Sequence, residues 1–160
     1  MNTIQFYKRV RKVNFIFIKV YTTVIFFIAG YIWSMMDFIN NFAVYLHELG
    51  HAVFSFGGKI VGYCTYVNVD WPIGAMGSML FQHIFAGVLA YFVTKAWDSL
   101  GAFGVGWSVF ITVNVFNRYE GQFSYDMIDW TPAWYPVTVL CTLAVMGLYV
   151  LSLWQTTHAH

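Results

Sequence analysis

The sequence predicts an all-α integral membrane protein with four to five transmembrane helices and a short β-like hairpin after the helix that carries an H-E-x-x-H motif. Of its 160 residues, 59% are hydrophobic, 21% are aromatic and only 9% are charged, against about a quarter charged in a typical globular domain. A soluble domain of this length cannot cover its surface with so few charges. The composition therefore excludes a soluble enzyme, a disordered chain and a nucleic-acid binder, and it leaves the lipid bilayer as the surroundings of the chain.

The N-terminal segment, residues 1–14, is basic and precedes the first apolar run. Five of the eight basic residues of the chain lie in its first nineteen positions, namely Lys8, Arg9, Arg11, Lys12 and Lys19. Because lysine and arginine accumulate on the cytoplasmic side of membrane proteins, we predict a cytoplasmic N-terminus. The following apolar run is too long for a signal peptide and has no small-residue cleavage site.

Five apolar stretches within this single membrane domain, residues 1–160, are candidates for spans, and they cover residues 15–36, 38–56, 73–96, 100–116 and 134–154. Residues 59–70, after the second stretch, are rich in β-branched and aromatic side chains, which predicts one or two short strands. Gly101, Gly104 and Gly106 in the fourth stretch predict the close approach of a neighbouring helix.

Alternating passage of five spans from a cytoplasmic N-terminus predicts a definite side for each loop. Lys59 and Arg118 would lie on the cytoplasmic side, whereas Lys95 and the C-terminus would lie outside. Seven of the eight basic residues would then be cytoplasmic, in agreement with the charge rule.

The second stretch contains the sequence His47-Glu48-Leu49-Gly50-His51. Residues four apart share one face of a helix, so both imidazoles can reach one cation while Glu48 lies beside them to transfer protons. Zinc suits two imidazoles and a carboxylate, and a catalytic zinc site keeps one position for water. A polar helix-packing patch without metal is the alternative, but ionisable residues within a membrane helix usually serve a function.

A third zinc ligand must come from elsewhere in the chain, and we favour Asp126. It follows the fourth stretch, on the side of the membrane at which the motif helix is predicted to end. Asp129 and Glu120 are the nearest alternatives, and Asp129 also suits the start of the last helix. The remaining candidates are Asp70, His83 and Asp98. For His83 we expect hydrogen bonds inside the helix bundle, with a contact to a metal ligand or to substrate as the alternative.

The run from His47 to Ala52, followed by Gly57-Gly58-Lys59-Ile-Val-Gly62 and the β-like segment, resembles the site-2 protease family of intramembrane zinc metalloproteases. The likeness is greatest to the small bacterial and archaeal branch and extends from about Val44 to Asp129. It implies a multi-pass protein of a prokaryotic plasma membrane.

In that family a later helix carries an Asn-x-x-Pro segment and then an Asp-Gly pair whose aspartate is the third zinc ligand. Asn114-Val-Phe-Asn117 matches the first element with asparagine in place of proline, and Asp126-Met127 matches the second with methionine in place of glycine. The resemblance thus implies that His47, His51 and Asp126 hold Zn²⁺ and that Glu48 is the general base. It also implies that Asn114 helps to hold the substrate in an extended conformation.

Two functions are consistent with these features. The first is an intramembrane zinc endopeptidase that hydrolyses peptide bonds of transmembrane protein substrates. The second is a catalytically inactive, protease-like subunit with a structural role among the partner subunits of a larger membrane complex. It is favoured by Asn117 in place of the proline and Met127 in place of the glycine.

Overall fold

The computed structural model describes residues 3–35, 41–54, 59–61, 64–66, 72–117 and 131–158. Its helices are α1 (Thr3–Met35), α2 (Asn41–Phe54), α3 (Pro72–Val88), α4 (Thr94–Ala96), α5 (Ala102–Asn117) and α6 (Thr131–His158). A π-helical turn, Leu89–Val93, joins α3 to α4 without a break. We call the resulting continuous rod the α3–α4 helix.

Two short strands, β1 (Lys59–Val61) and β2 (Cys64–Tyr66), follow α2. They pair in antiparallel fashion, with Lys59 opposite Tyr66 and Val61 opposite Cys64. Everything else that the structure describes is helix or the turn between α4 and α5.

Three of the helices are long and apolar enough to cross a membrane, over Phe15–Trp33, Met76–Ala96 and Trp134–His158. The segment Ala102–Phe116 of α5 is apolar but shorter. Helices suit such sequences because lipid offers no hydrogen bonds to the backbone, so each segment must satisfy its own N–H and C=O groups. The chain thus has the helices of a membrane protein, as its composition predicts.

The α3–α4 helix and α5 run in opposite directions, because the tight turn at residues 97–101 joins them. Gly104 packs against the backbone of Ala86 and Gly101 against Thr94. Such contact requires the absence of a side chain, since a β-carbon on either glycine would collide with its neighbour. The prediction that the glycines of this stretch admit a neighbouring helix is confirmed.

The last helix, α6, runs parallel to α3–α4 and antiparallel to α5. Hydrogen bonds join Thr138 of α6 to His83 and, about four turns later, Ser152 to the carbonyl oxygen of Tyr91. At the other end of α5, the rings of Phe116 and Tyr135 stack at 4.7 Å between centroids.

Helix α1 runs parallel to α5 and packs mainly on it. Near the 97–101 turn, Thr22 of α1 is hydrogen-bonded to Ser99 at 2.9 Å, and further along α1 the ring of Tyr31 meets that of Phe110 edge to face. Gly106 lies against the carbonyl of Phe27, so glycine again admits the neighbouring backbone. The opposite face of α1 is apolar and exposed, as expected for a surface that faces lipid.

Two helices, α1 and α5, therefore point one way, and the α3–α4 helix and α6 point the other way. The alternating five-span arrangement does not fit these directions. Lys19 forms an ion pair with Asp98, so Lys95 and the 97–101 turn lie at the end of the bundle that holds the basic half of α1. Over its 14 described residues α2 rises about 21 Å, and it packs against the first half of α3 through Gly50 and Gly77. The C-terminal end of α6 lies near Tyr91 at this same end.

Candidate functional site

The H-E-x-x-H sequence lies on α2, which follows the end of α1 and packs against the first half of α3. His47, Glu48 and His51 are 3%, 8% and 3% exposed. The Nε2 atoms of the two histidines are 3.2 Å apart, and their rings meet nearly at right angles, at 81°. The two imidazoles therefore direct the same ring nitrogen to a common point, as the four-residue spacing predicts.

This spacing suits a single zinc ion. Two nitrogens at about 2.0–2.1 Å from a tetrahedral zinc are about 3.3 Å apart, and the observed separation is 3.2 Å. Burial of both rings also excludes bulk water from the nitrogens that a metal would use. The separation is thus compatible with a zinc ion between the two nitrogens, and it is also the length of a hydrogen bond between the two rings.

Helix α2 is held close to α3 by a pair of glycines. A β-carbon on Gly50 would lie 2.7 Å from the Cα atom of Ser78, and one on Gly77 would lie 2.8 Å from the Cβ atom of Phe54. Each glycine also faces the carbonyl oxygen of the other. Gly50 is one of the two variable positions of H-E-x-x-H, and here it sets the distance between the motif and the rest of the bundle.

The third ligand predicted from the sequence, Asp126, and its alternatives Asp129 and Glu120 lie within residues 118–130, outside the described part of the chain. Asp70 also lies outside it. Within the described residues, no three His, Cys, Asp or Glu side chains gather around a common point. The two described alternatives lie elsewhere, since Asp98 is paired with Lys19 at the opposite end of the bundle and His83 belongs to a separate network.

Asn114, predicted to contact substrate, lies on α5 and is half-buried. It is one turn from the end of α5, at the end of the bundle where α1 also ends. The α2 motif follows α1 in the chain, so Asn114 and the histidine pair belong to the same end of the molecule.

His83 is buried among three helices. Its Nδ1 is 2.8 Å from Ser108 Oγ of α5, and its Nε2 is 3.0 Å from Thr138 Oγ1 of α6. Thr112 and Thr142 complete a closed ring of hydroxyl groups, with separations of 2.7–3.0 Å. The prediction that His83 is hydrogen-bonded inside the bundle is confirmed. The hydroxyl residues form two pairs four positions apart, Ser108 with Thr112 and Thr138 with Thr142, but only the helix packing shows that the two pairs meet at His83.

Within the part of the chain that the structure describes, two buried side chains have an N–H group without a hydrogen-bond acceptor. These groups are the Nε2 of Gln82, a residue 1% exposed, and the Nε1 of Trp134, a residue 8% exposed. The Oε1 of Gln82 accepts a hydrogen bond of 3.3 Å from Trp107 Nε1. Trp134 belongs to the same apolar cluster as Leu46, the neighbour of His47.

Comparison with known proteins gives no further identification. No family model matches the chain, and no match is found among the curated proteins or among the solved structures.

Proposed function

We propose that the protein is an intramembrane zinc endopeptidase that hydrolyses peptide bonds of transmembrane protein substrates. One observation carries the proposal. Two buried imidazoles, one helical turn apart and flanking Glu48, hold their Nε2 atoms 3.2 Å apart. Ionisable residues that a membrane protein buries are most often functional, and these three are the buried His and Glu of an H-E-x-x-H motif.

In this proposal His47 and His51 hold Zn²⁺, and Asp126 completes the protein ligands. When bound, the metal supplies Lewis-acid activation of water and polarises the substrate carbonyl. Glu48 takes a proton from the attacking water and delivers it to the leaving nitrogen of the cleaved peptide. Glu48 lies next to His47 in the helix and, like the two histidines, is buried.

The location of α2 also supports hydrolysis. Between Gly77, which touches α2, and Ala96, the α3–α4 helix rises about 29 Å, close to the hydrocarbon thickness of about 30 Å. If the turn at 97–101 lies at one membrane boundary, the motif lies near the other, where water is available. A substrate helix must unwind there, because its peptide bonds are otherwise held in its own hydrogen bonds. The β1–β2 strands offer an edge for strand addition, and Asn114 a side-chain contact.

For the membrane topology we propose four crossings, by α1, α3–α4, α5 and α6, with α2 and the strand pair near one boundary. Six of the eight basic residues, those of residues 1–19 together with Lys95, then lie at the same end. By the charge rule this end is cytoplasmic. The N- and C-termini are thus cytoplasmic in a multi-pass protein of a prokaryotic plasma membrane, and the motif lies toward the outer face.

The alternative function is that of an inactive, protease-like subunit of a membrane complex. It is favoured by asparagine at position 117 and methionine at position 127, where the resembling family has proline and glycine. Such a subunit would keep the fold and even the metal, yet would not cleave a peptide.

Metal analysis and a cleavage assay on Glu48→Gln distinguish the two functions. We expect about one zinc per wild-type chain and cleavage of a reconstituted transmembrane peptide. Glu48→Gln should keep the zinc and lose at least about a hundredfold in rate. Asp98→Asn, which changes a carboxylate at the opposite end of the bundle, is the control and should remain active. Zinc without cleavage in the wild type would support the inactive subunit, and a wild type without zinc would contradict the protease.

The ligand set has its own test. Asp126→Ala should release the zinc, whereas Asp129→Ala should retain it. Loss of zinc from Asp129→Ala but not from Asp126→Ala would identify Asp129 as the third ligand.

A further inference from the structure

We propose that the protein binds one anionic phospholipid, with an acyl chain in a groove between the α3–α4 helix and α6 and the phosphate at Lys95. The groove has a volume of about 340 Å³ and lies at the surface of the bundle. Apart from His83 and Tyr91 it is lined by apolar side chains and glycine. It lies well away from α2, so this proposal does not depend on the proposed protease function.

The dimensions of the groove suit an acyl chain. From Leu80 at its deep end to Phe92 at the other, the helix rises about 18 Å, which is slightly more than half of the hydrocarbon core of about 30 Å. The groove therefore has about the depth of one leaflet. A helix with its side chains is about 10 Å across, and an 18 Å length of it exceeds the volume of this groove several times. A single hydrocarbon chain is thin enough to enter.

Small residues create the groove. Gly87 and Ala144 lie on its two walls, one from each helix. A β-carbon on Gly87 would come within 3.2 Å of Leu148, another wall residue. The floor is closed by His83, whose ring nitrogens are already bonded to Ser108 and Thr138, so it presents no open polar atom that would repel a hydrocarbon.

A cation stands at the shallow end of the groove. The Nζ atom of Lys95 is 4.2 Å from the ring centroid of Tyr91 and 5.8 Å from that of Phe92, the two residues that line this end. It donates a hydrogen bond of 3.0 Å to Tyr91 Oη, which in turn donates to Gln155 Oε1. The nearby carboxylate of Asp98 is paired with Lys19, and Lys95 itself is exposed. Its charge is thus placed to meet a phosphate at the membrane surface.

The site combines an apolar slot one leaflet deep with a positive charge at its mouth. Phospholipids with a net negative headgroup match both parts, and zwitterionic lipids match the slot while adding a positive group near Lys95. One basic residue at an anionic lipid surface contributes about 1 kcal/mol, which corresponds to about a fivefold preference.

Native mass spectrometry of the detergent-purified full chain tests the proposal, with dioleoyl phosphatidylglycerol and dioleoyl phosphatidylcholine as probes. We expect one tightly bound phosphatidylglycerol per chain and about fivefold weaker binding of phosphatidylcholine. Lys95→Gln should abolish the preference and leave binding of phosphatidylcholine unchanged. Ala144→Phe should weaken both lipids at least tenfold, because it fills the slot.

Gly147→Phe is the matched control. It lies on the same helix outside the groove lining, and a β-carbon at this position meets no atom within 4 Å, so both lipids should bind as they do to the wild type. Ala144→Leu is a smaller filling substitution in case the phenylalanine prevents folding, which thermal unfolding of each variant would detect. Equal binding of the two lipids by the wild type, or wild-type binding by both Ala144 variants, would overturn the proposal.

Discussion

Lys19 of α1 and Asp98 of the turn after α4 form an ion pair across 79 residues of sequence. The pair places the basic half of α1 and the 97–101 turn at one end of the bundle. Helix α2 packs on α3 at Gly77, about 29 Å along the α3–α4 helix from Ala96.

The first prediction concerns this arrangement. In a chain whose two cysteines, Cys64 and Cys141, are replaced by serine, a single cysteine at Lys95 should react with a membrane-impermeant maleimide from the side of an N-terminal tag. A cysteine at Tyr45, which is 55% exposed on α2, should react from the opposite side. Labelling of Lys95→Cys and the tag from opposite sides of sealed vesicles would restore the five-span arrangement.

The second prediction concerns the contact between α2 and α3. Gly50→Ala and Gly77→Ala should each destabilise the protein by about 1–3 kcal/mol, since the added methyl group forces two backbones apart. Both should also lower zinc retention, because the histidine pair moves with α2. Equilibrium unfolding in mixed detergent micelles and metal analysis measure the two effects.

Gly147→Ala is the control for that pair, because nothing lies within 4 Å of the added atom. It should leave stability unchanged or raise it by up to about 1 kcal/mol through helix propensity. Equal stability of the Gly50, Gly77 and Gly147 variants would show that α2 does not depend on this close approach.

The third prediction concerns the hydroxyl ring around His83. His83→Leu removes two hydrogen bonds, yet Ser108 keeps Thr142 as a partner and Thr112 keeps Thr138. Because no buried hydroxyl is left alone, we expect a loss of only about 1–2 kcal/mol in unfolding free energy. Thr142→Val, which removes links to two other members of the ring, should cost a similar amount. A loss above about 4 kcal/mol for His83→Leu would mean that the ring acts as an indivisible unit.

The fourth prediction concerns the two buried tryptophans. Trp134→Phe removes an N–H group that has no acceptor, so the unfolding free energy should stay unchanged or rise by about 1 kcal/mol. Trp107→Phe, the matched change, removes a donor to Gln82 and leaves that amide oxygen unpaired, at a cost of about 1–3 kcal/mol. The reverse order of stabilities would indicate that Trp134 has an acceptor in the folded protein.

The sequence predicts local features of this protein well and long-range ones poorly. The paired imidazoles follow from a four-residue spacing within one helix, and the apolar spans follow from their composition. The direction of the helices depends on contacts such as that of Lys19 with Asp98, which no local pattern reveals. Residues 38–56 are as apolar as a span, and the structure describes a helix there over Asn41–Phe54. The choice among Asp126, Asp129 and Glu120 is likewise a matter of tertiary approach.

The Gly50–Gly77 contact also constrains how this protein can evolve. The two positions are coupled, since a larger residue at either one fits only if the opposing helix moves away. The partner position cannot compensate, because it already holds glycine, the smallest residue. Substitution of Gly50, at a position that the H-E-x-x-H pattern leaves variable, is therefore restricted by Gly77 on another helix, 27 positions further along the chain. In this protein Gly50, the second variable position of the motif, is restricted by packing rather than by chemistry.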